Sequence, residues 1–366
     1  MAACLPLAQV VTQLEAGLPG PPGAGFLGAD LDPCEAALVL IPVPWEVTTS
    51  YRGGTAGGPG AILAASHQLD LEEGAFDRPY RAGIAFLPED PAIRALNRAA
   101  RPAAQRAIAA LERGVEARQE LDQVNAAGKE LNRRVYRAAR TQLEVGRWVG
   151  LVGGDHSSPL GLIRALAERQ ADGFGVLHID AHHDLRAAFE GFTWSHASIL
   201  YNVMHEHPQV RRLVQVGVRD YSRAERLNLL ALGERGRVFY GRDLFRRKAA
   251  GEGFGATCRT ILEPLPQRVY VSFDIDGLDP PYCPSTGTPV PGGLSFDEAC
   301  YLLEQLACSG RKVIGFDLCE VAPGAGGDEW DANVGARLLY ELCGCLLHSQ
   351  GLCRSAAGVQ LAGCST

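Results

Sequence analysis

His178-Ile179-Asp180-Ala181-His182-His183-Asp184-Leu185-Arg186 is the stretch that decides how the rest of this chain is read. Asp180, His182 and Asp184 stand two residues apart, so an extended backbone turns all three side chains to one side. Two carboxylates and an imidazole on one point are more charge than a packed interior tolerates unpaired, and a divalent cation is the usual remedy. The apolar run Phe174-Gly175-Val176-Leu177 just before it predicts a buried strand, with the polar trio at its carboxyl end.

Working outward, strand-like runs at 148–152, 175–179, 213–218, 269–273 and 313–318 alternate with helical stretches, and a first core strand is expected at 37–41. Short β-rich runs alternating with helices predict an α/β fold, a parallel sheet covered on both faces. Four of the strand ends carry polar clusters. They are Gly153-Gly154-Asp155-His156-Ser157, the opening stretch, Asp274-Ile275-Asp276-Gly277-Leu278-Asp279-Pro280, and Glu320-Val321-Ala322-Pro323. The crevice beyond the carboxyl ends of the strands is where open α/β sheets bind ligands.

His156, Asp180, His182, Asp184, Asp274 and Asp276 are then the candidate metal ligands. Six nitrogen and oxygen donors without a thiolate suit Mn, Ni, Co or Zn. They exceed what one tetrahedral site needs, so two ions sharing carboxylates are expected, with an acidic water between them. Each residue has a plainer reading: His156 as a helix cap, Asp274 and Asp276 as turn formers, Asp155 and His183 as groups that orient the ligands. Together those plainer readings require three separate coincidences at strand ends.

Composition sets the frame. With 366 residues the chain can bury a large core, and residues 37–350 read as one large domain. Residues 1–36, with Pro19-Gly20-Pro21-Pro22-Gly23, read as an irregular amino-terminal arm, and residues 351–366 as a tail. A charged helical insertion is expected at about 91–146, as two helices over 101–120 and 131–146 with Ala126-Ala127-Gly128 between them. No segment is apolar enough to span a membrane, and no secretory signal is evident. The net charge of −7 speaks against a nucleic-acid partner and suits a cationic substrate. The eleven cysteines are scattered and odd in number, which reads as small buried thiols in a reducing cytoplasm. The glycine-rich stretch at 52–60 lacks the Gly-Lys-Ser/Thr ending of a phosphate loop and reads as a tight turn before a helix.

The segments G-G-D-H-S, D-A-H-H-D, S-F-D-I-D-G-L-D-P, S-T-G-T-P-V-P-G-G and E-V-A-P resemble the ureohydrolase family, the arginases, agmatinases and related guanidino hydrolases. The resemblance runs from about 41 to 347. It implies a three-layer αβα fold with a mainly parallel eight-stranded sheet, a di-manganese centre and a homo-oligomer, trimer or hexamer. Carried over residue by residue, it implies that His156, Asp180, Asp184 and Asp274 hold one ion. His182 and Asp276 hold the other, with Asp180 and Asp274 shared. It further implies that Asp184 orients the attacking hydroxide, that Glu320 pairs with the substrate guanidinium, and that His196 passes a proton to the leaving amine. By itself, His196 reads equally as a core histidine.

The expected reaction is hydrolysis of a guanidino group to urea and an amine. Glu320-Val321-Ala322-Pro323 and Pro291-Gly292-Gly293 resemble agmatinases, and Trp194-Ser195-His196-Ala197-Ser198 resembles bacterial enzymes acting on aminopropylagmatine. Arg186 points the other way: the resemblance leads us to expect Asn there in arginases, and an arginine could hold a substrate carboxylate. The alternative is that Glu190 neutralises it. His183 is a second departure, where Ala, Thr or Ser is expected. Rival readings are the same chemistry on arginine, a guanidino acid or guanidine, a non-catalytic interaction subunit, and a single-zinc deacylase.

Overall fold

The computed structural model describes residues 4–356 except 19, 22 and 73. Its centre is an eight-stranded sheet of β1 (Leu38–Val43), β3 (Ile84–Phe86), β4 (Trp148–Gly153), β5 (Phe174–Ile179), β6 (Val210–Val216), β7 (Gly236–Phe239), β8 (Arg268–Asp274) and β9 (Lys312–Cys319). The order across the sheet is β3-β1-β4-β9-β8-β5-β6-β7. Every pairing in it is parallel, so the expected "mainly parallel" sheet is wholly so. A separate antiparallel pair joins β2 (Phe76–Asp77) to β10 (Arg354–Ser355).

Strands buried on both faces read as unbroken apolar runs, and that is why this sequence shows its core strands so openly. In β1, Leu38 and Leu40 pack into one layer while Val39, Ile41 and Val43 pack into the other. The first layer takes Ile62, Leu302 and Leu338 from the helices Gly58–Ala65, Phe296–Cys308 and Trp330–Ser349. The second takes Ala104, Leu131, Ile163 and Val203 from the helices Pro91–Glu112, Arg118–Glu144, Leu160–Arg169 and Ile199–Glu206. The molecule is therefore three layers, helix–sheet–helix. Phe273 and Phe316 are fully buried in the strands that hold the middle of the sheet, each contributing roughly 2–3 kcal/mol.

Three expectations change. The helical insertion breaks at 113–117, not at Ala126-Ala127-Gly128, which lies inside the helix Arg118–Glu144. Gly128 is there for clearance: a Cβ would lie 2.8 Å from the Trp194 side chain. The amino-terminal arm contains a helix, Leu7–Glu15, and buries Val10, Phe26 and Leu27 against the rest of the chain. Among the described residues nine cysteines are free thiols and Cys308 is disulfide-bonded, which departs from the all-thiol expectation. The short edge strands β3 and β7 escaped sequence reading because neither is long enough to show a period. The end of the tail, residues 357–366, lies outside the described residues.

Candidate metal centre

The four strands with polar ends, β4, β9, β8 and β5, are neighbours in the middle of the sheet. Their carboxyl ends therefore deliver Asp155–Ser157, Glu320, Asp274–Asp276 and Asp180–Asp184 to one place. Asp180, Asp184, Asp274 and Asp276 are all buried, as is His156; His182 is half-buried. Local geometry holds them there. Asp274 caps the turn that carries Asp276, accepting from its backbone N–H at 2.8 Å. Asp180 accepts from the His182 backbone N–H at 2.5 Å, and Asp276 from that of Ala181 at 3.0 Å. The end of β4 fits closely under the loop after β1, where a side chain at Gly154 would overlap the Trp45 carbonyl.

His156 Nδ1 lies 3.1 Å from Asp180, 3.2 Å from Asp184 and 3.3 Å from Asp274. Its other nitrogen, Nε2, lies 2.9 Å from Ser272 Oγ and 3.4 Å from Asp317 Oδ1. One imidazole proton can serve only one of those three carboxylates, whereas a cation serves all of them. His182 Nδ1 sits 3.1 Å from Asp276 and 3.3 Å from Asp180, a second set with one shared carboxylate. Asp180, His182 and Asp276 offer ligand atoms within 4.8 Å of one another, and so do His156, His178, Asp180 and Asp184.

Electrostatics agree. Burial, then the charge of Asp180, pushes the Asp184 carboxyl up to about 6. Burial and the charges of Asp276 and Asp180 push Asp274 well above the usual carboxylate range. Burial opposes a proton on His182, yet Asp276 and Asp180 outweigh it and raise the imidazole well above its ordinary value. Four carboxylates packed this closely call for positive charge, and two divalent ions supply four. The donors present fit such ions.

In front of the cluster is a cavity of about 330 Å3 lined by His182, Asp184, Arg186, His196, Asp220 and Glu320, among others. A larger hollow of about 620 Å3 shares Tyr221 with it but contains none of the clustered ligands. Asp184 and Glu320 both have left-handed backbone, at φ 54° and φ 63°, strain that accumulates at functional positions. Glu320 is buried and accepts from the His156 backbone N–H at 2.9 Å. Burial, then the charge of Asp155, raises its carboxyl well above the usual range. His196 is placed on the cavity wall with Nδ1 3.2 Å from Thr48 Oγ1, and burial lowers its imidazole to about 3.

Arg186 and Glu190 part company. The Arg186 guanidinium lies 3.3 Å from Glu225 and over the Phe189 ring at 4.7 Å, so its neutralising partner is Glu225 and not Glu190. Glu190 does not line the cavity, and its Oε2 has no hydrogen-bond partner among the described residues. A carboxylate four residues away looked sufficient in sequence, but Glu190 stands in its own left-handed turn at φ 52°.

Sequence reading missed Ser272 and Asp317 behind His156, Thr48 behind His196, and Gln215 behind His178. The signal existed for Ser272, Gln215 and Asp317, which are polar residues each flanked on both sides by apolar ones within a strand. Thr48 has none, since it is one of several polar residues in the loop after β1.

The arginase family model matches residues 36–344. The chain belongs to the arginase family. It is similar to the N(1)-aminopropylagmatine ureohydrolase of Thermus thermophilus, 32% identical over 85% of this chain and 90% of that one. It is also similar to the guanidinobutyrase of Pseudomonas aeruginosa, 30% identical over 86% of this chain and 87% of that one. Among solved structures, proclavaminate amidinohydrolase from Streptomyces clavuligerus matches with a TM-score of 0.66 and 25% identity, covering 90% of this chain and 98% of that one. The agmatine ureohydrolase of Thermoplasma volcanium shares the fold, with a TM-score of 0.65 and 22% identity over 87% of this chain and 92% of that one. The three-layer arginase-family architecture is thus the one expected, and a buried His/Asp cluster of the kind its two-ion centres use is present.

Proposed function

We propose that this arginase-family enzyme hydrolyses agmatine or an agmatine-like polyamine precursor, such as aminopropylagmatine, to urea and an amine. The observation that carries the reading is the meeting of six nitrogen and oxygen donors with Glu320 at the ends of four adjacent strands. His156, Asp180, Asp184 and Asp274 would hold one divalent ion; His182 and Asp276, sharing Asp180 and Asp274, would hold the other. Bound there, the pair supplies positive charge and activates water for attack on an amidine carbon.

The chain's own residues do the rest. Glu320 receives the guanidinium, and a planar cation against a carboxylate fixes the angle of attack. Asp184 accepts a hydrogen bond from the attacking water. His196, neutral in its buried setting and engaged through Nδ1 by Thr48, relays to the departing amine a proton that it takes up from the attacking water. At the mouth, Arg186 is offset by Glu225, while the exposed Asp220 lines the cavity. That balance favours a substrate tail that is cationic, which is also the chemistry named for the Thermus relative. Manganese is the proposed metal, with nickel or cobalt as substitutes, and a cytoplasmic trimer or hexamer the proposed working form.

The test is metal-stripped protein reloaded with Mn2+, Ni2+ or Co2+ and offered agmatine, aminopropylagmatine, arginine, 4-guanidinobutyrate and guanidine. Urea is expected chiefly from the first two. No urea from any of the five, with metal bound, would sink the proposal.

A further inference from the structure

Behind Asp180 the interior holds three polar side chains that none of the steps above uses: His178 on β5, Gln215 on β6, and His183 in the loop after β5. All three, like Asp180, are wholly buried. Their hydrogen bonds can be assigned without ambiguity, starting from one carbonyl.

The His183 backbone oxygen can only accept, so the Gln215 amide atom 2.9 Å from it is the nitrogen. That same nitrogen lies 2.9 Å from His178 Nδ1, and the amide oxygen lies 2.7 Å from His183 Nδ1. An amide nitrogen only donates and an amide oxygen only accepts. His178 Nδ1 is therefore the bare nitrogen of its ring, and His183 Nδ1 carries a hydrogen. His178 then bears its hydrogen on Nε2, which sits 2.8 Å from Asp180 Oδ2 and donates to it.

We infer that His183, Gln215 and His178 form a hydrogen-bond relay that holds the shared carboxylate of Asp180, making Gln215 and His183 positioning residues of the metal centre. The inference rests on the two-ion reading given above. His178 lies among atoms that could ligate a metal, but with hydrogen on Nε2 it serves as donor and not as ligand. Asp180 is thereby gripped at both oxygens, Oδ2 by His178 and Oδ1 by the His182 backbone N–H. Were the Gln215 amide reversed, its oxygen would face the His183 carbonyl, and the bare His178 nitrogen would face the carboxylate. His183 prevents this from both its backbone and its ring.

The relay ends at the cavity. The His183 ring packs edge-on against Tyr221 at 4.9 Å and Tyr240 at 5.7 Å, and Tyr221 lines the cavity in front of the metal ligands.

The test measures Mn2+ binding to metal-stripped full-length protein by calorimetry, with three variants. Gln215→Leu removes the central link. His183→Phe keeps a ring against the tyrosines but loses the donor, and His183→Asn keeps a donor where Nδ1 stood. Loss of a group that orients a ligand typically weakens metal binding about 10–100-fold. Gln215→Leu and His183→Phe should show that loss for at least one ion, with kcat reduced and KM for agmatine little changed; His183→Asn should bind within a few-fold of wild type. Wild type binding two ions, with Gln215→Leu and His183→Phe binding them equally tightly, overturns the relay alone. Wild type binding fewer than two ions overturns the two-ion reading and the relay with it.

Discussion

The backbone N–H of His156, at the end of β4, donates to Glu320 Oε1, beside the end of β9, across 2.9 Å. A candidate metal-holding residue and the candidate guanidinium-binding carboxylate are thus parts of one rigid piece. Glu320 is tied from its own side as well, its N–H donating to the Gly154 carbonyl at 2.7 Å. Opposite it, Gly287 leaves room: a Cβ there would lie 3.2 Å from Glu320 Oε2.

Glu320→Gln keeps the hydrogen bond from His156 but removes the charge. Losing one partner of a buried charged pair costs about 2–5 kcal/mol, so kcat/KM for agmatine should fall at least ~30-fold. The raised Glu320 carboxyl gives a sign for pH. Its proton must leave before it can pair with guanidinium, so wild-type kcat/KM should rise with pH, and the variant should lack that limb. Steady-state kinetics across pH, with metal saturating, would show both.

His182→Ala and Asp276→Ala each break the set that shares Asp180. Bound metal per chain, measured by elemental analysis, should drop from two towards one. Urea release should fall by about 1000-fold or more, since removing an ion also removes the charge that makes water reactive. Unchanged turnover in either variant would refute the ligand assignment.

Arg186→Ala would leave the buried Glu225 carboxylate without its cation, making the cavity mouth more negative. KM for agmatine should then fall or stay level, while KM for 4-guanidinobutyrate should rise, by roughly tenfold for a lost exposed-side pair. If the better substrate is instead a carboxylated one, the variant should lose most of its activity towards that substrate. Activity on the preferred substrate is therefore kept in the first case and lost in the second, and a substrate panel separates them.

Glu341, on the helix Trp330–Ser349 and outside the cavity of the candidate metal residues, offers a stability test. Burial, then the charge of Glu304, raises its carboxyl to about 7, and its Oε2 has no hydrogen-bond partner among the described residues. A carboxyl whose folded value lies above its unfolded one favours folding at low pH. That contribution is complete below about 4.5 and is lost as pH rises through about 7. Glu341→Gln cannot ionise, so it should be more stable than wild type by on the order of 1–3 kcal/mol at pH 8 and no more stable at pH 4.5. Thermal melts at the two pH values would decide it.

The parts of this protein legible in the sequence share one property, that their signal is local. Core strands announce themselves as apolar runs because both their faces are buried. Asp180, His182 and Asp184 point to a candidate metal corner because backbone alternation alone brings them together. The edge strands β3 and β7 were invisible because three or four residues do not make a period. The break in the helical insertion was misplaced because a glycine needed for clearance against Trp194 looks the same, in sequence, as one that ends a helix.

By itself, then, the chain determined its fold class and its family and pointed to six candidate donors, all carried by short-range pattern and residue type. Only the tertiary structure decided which groups meet. The sheet order β4-β9-β8-β5 sets together strand ends that lie far apart in the chain, and with them Glu320 and His156. It paired Arg186 with Glu225, thirty-odd positions on, over the Glu190 nearby. It joined His183 through Gln215 to His178 and so to Asp180. The reason is physical: a buried polar group must find its partner, and in a three-layer parallel fold that partner comes from the neighbouring strand, not from the neighbouring residue.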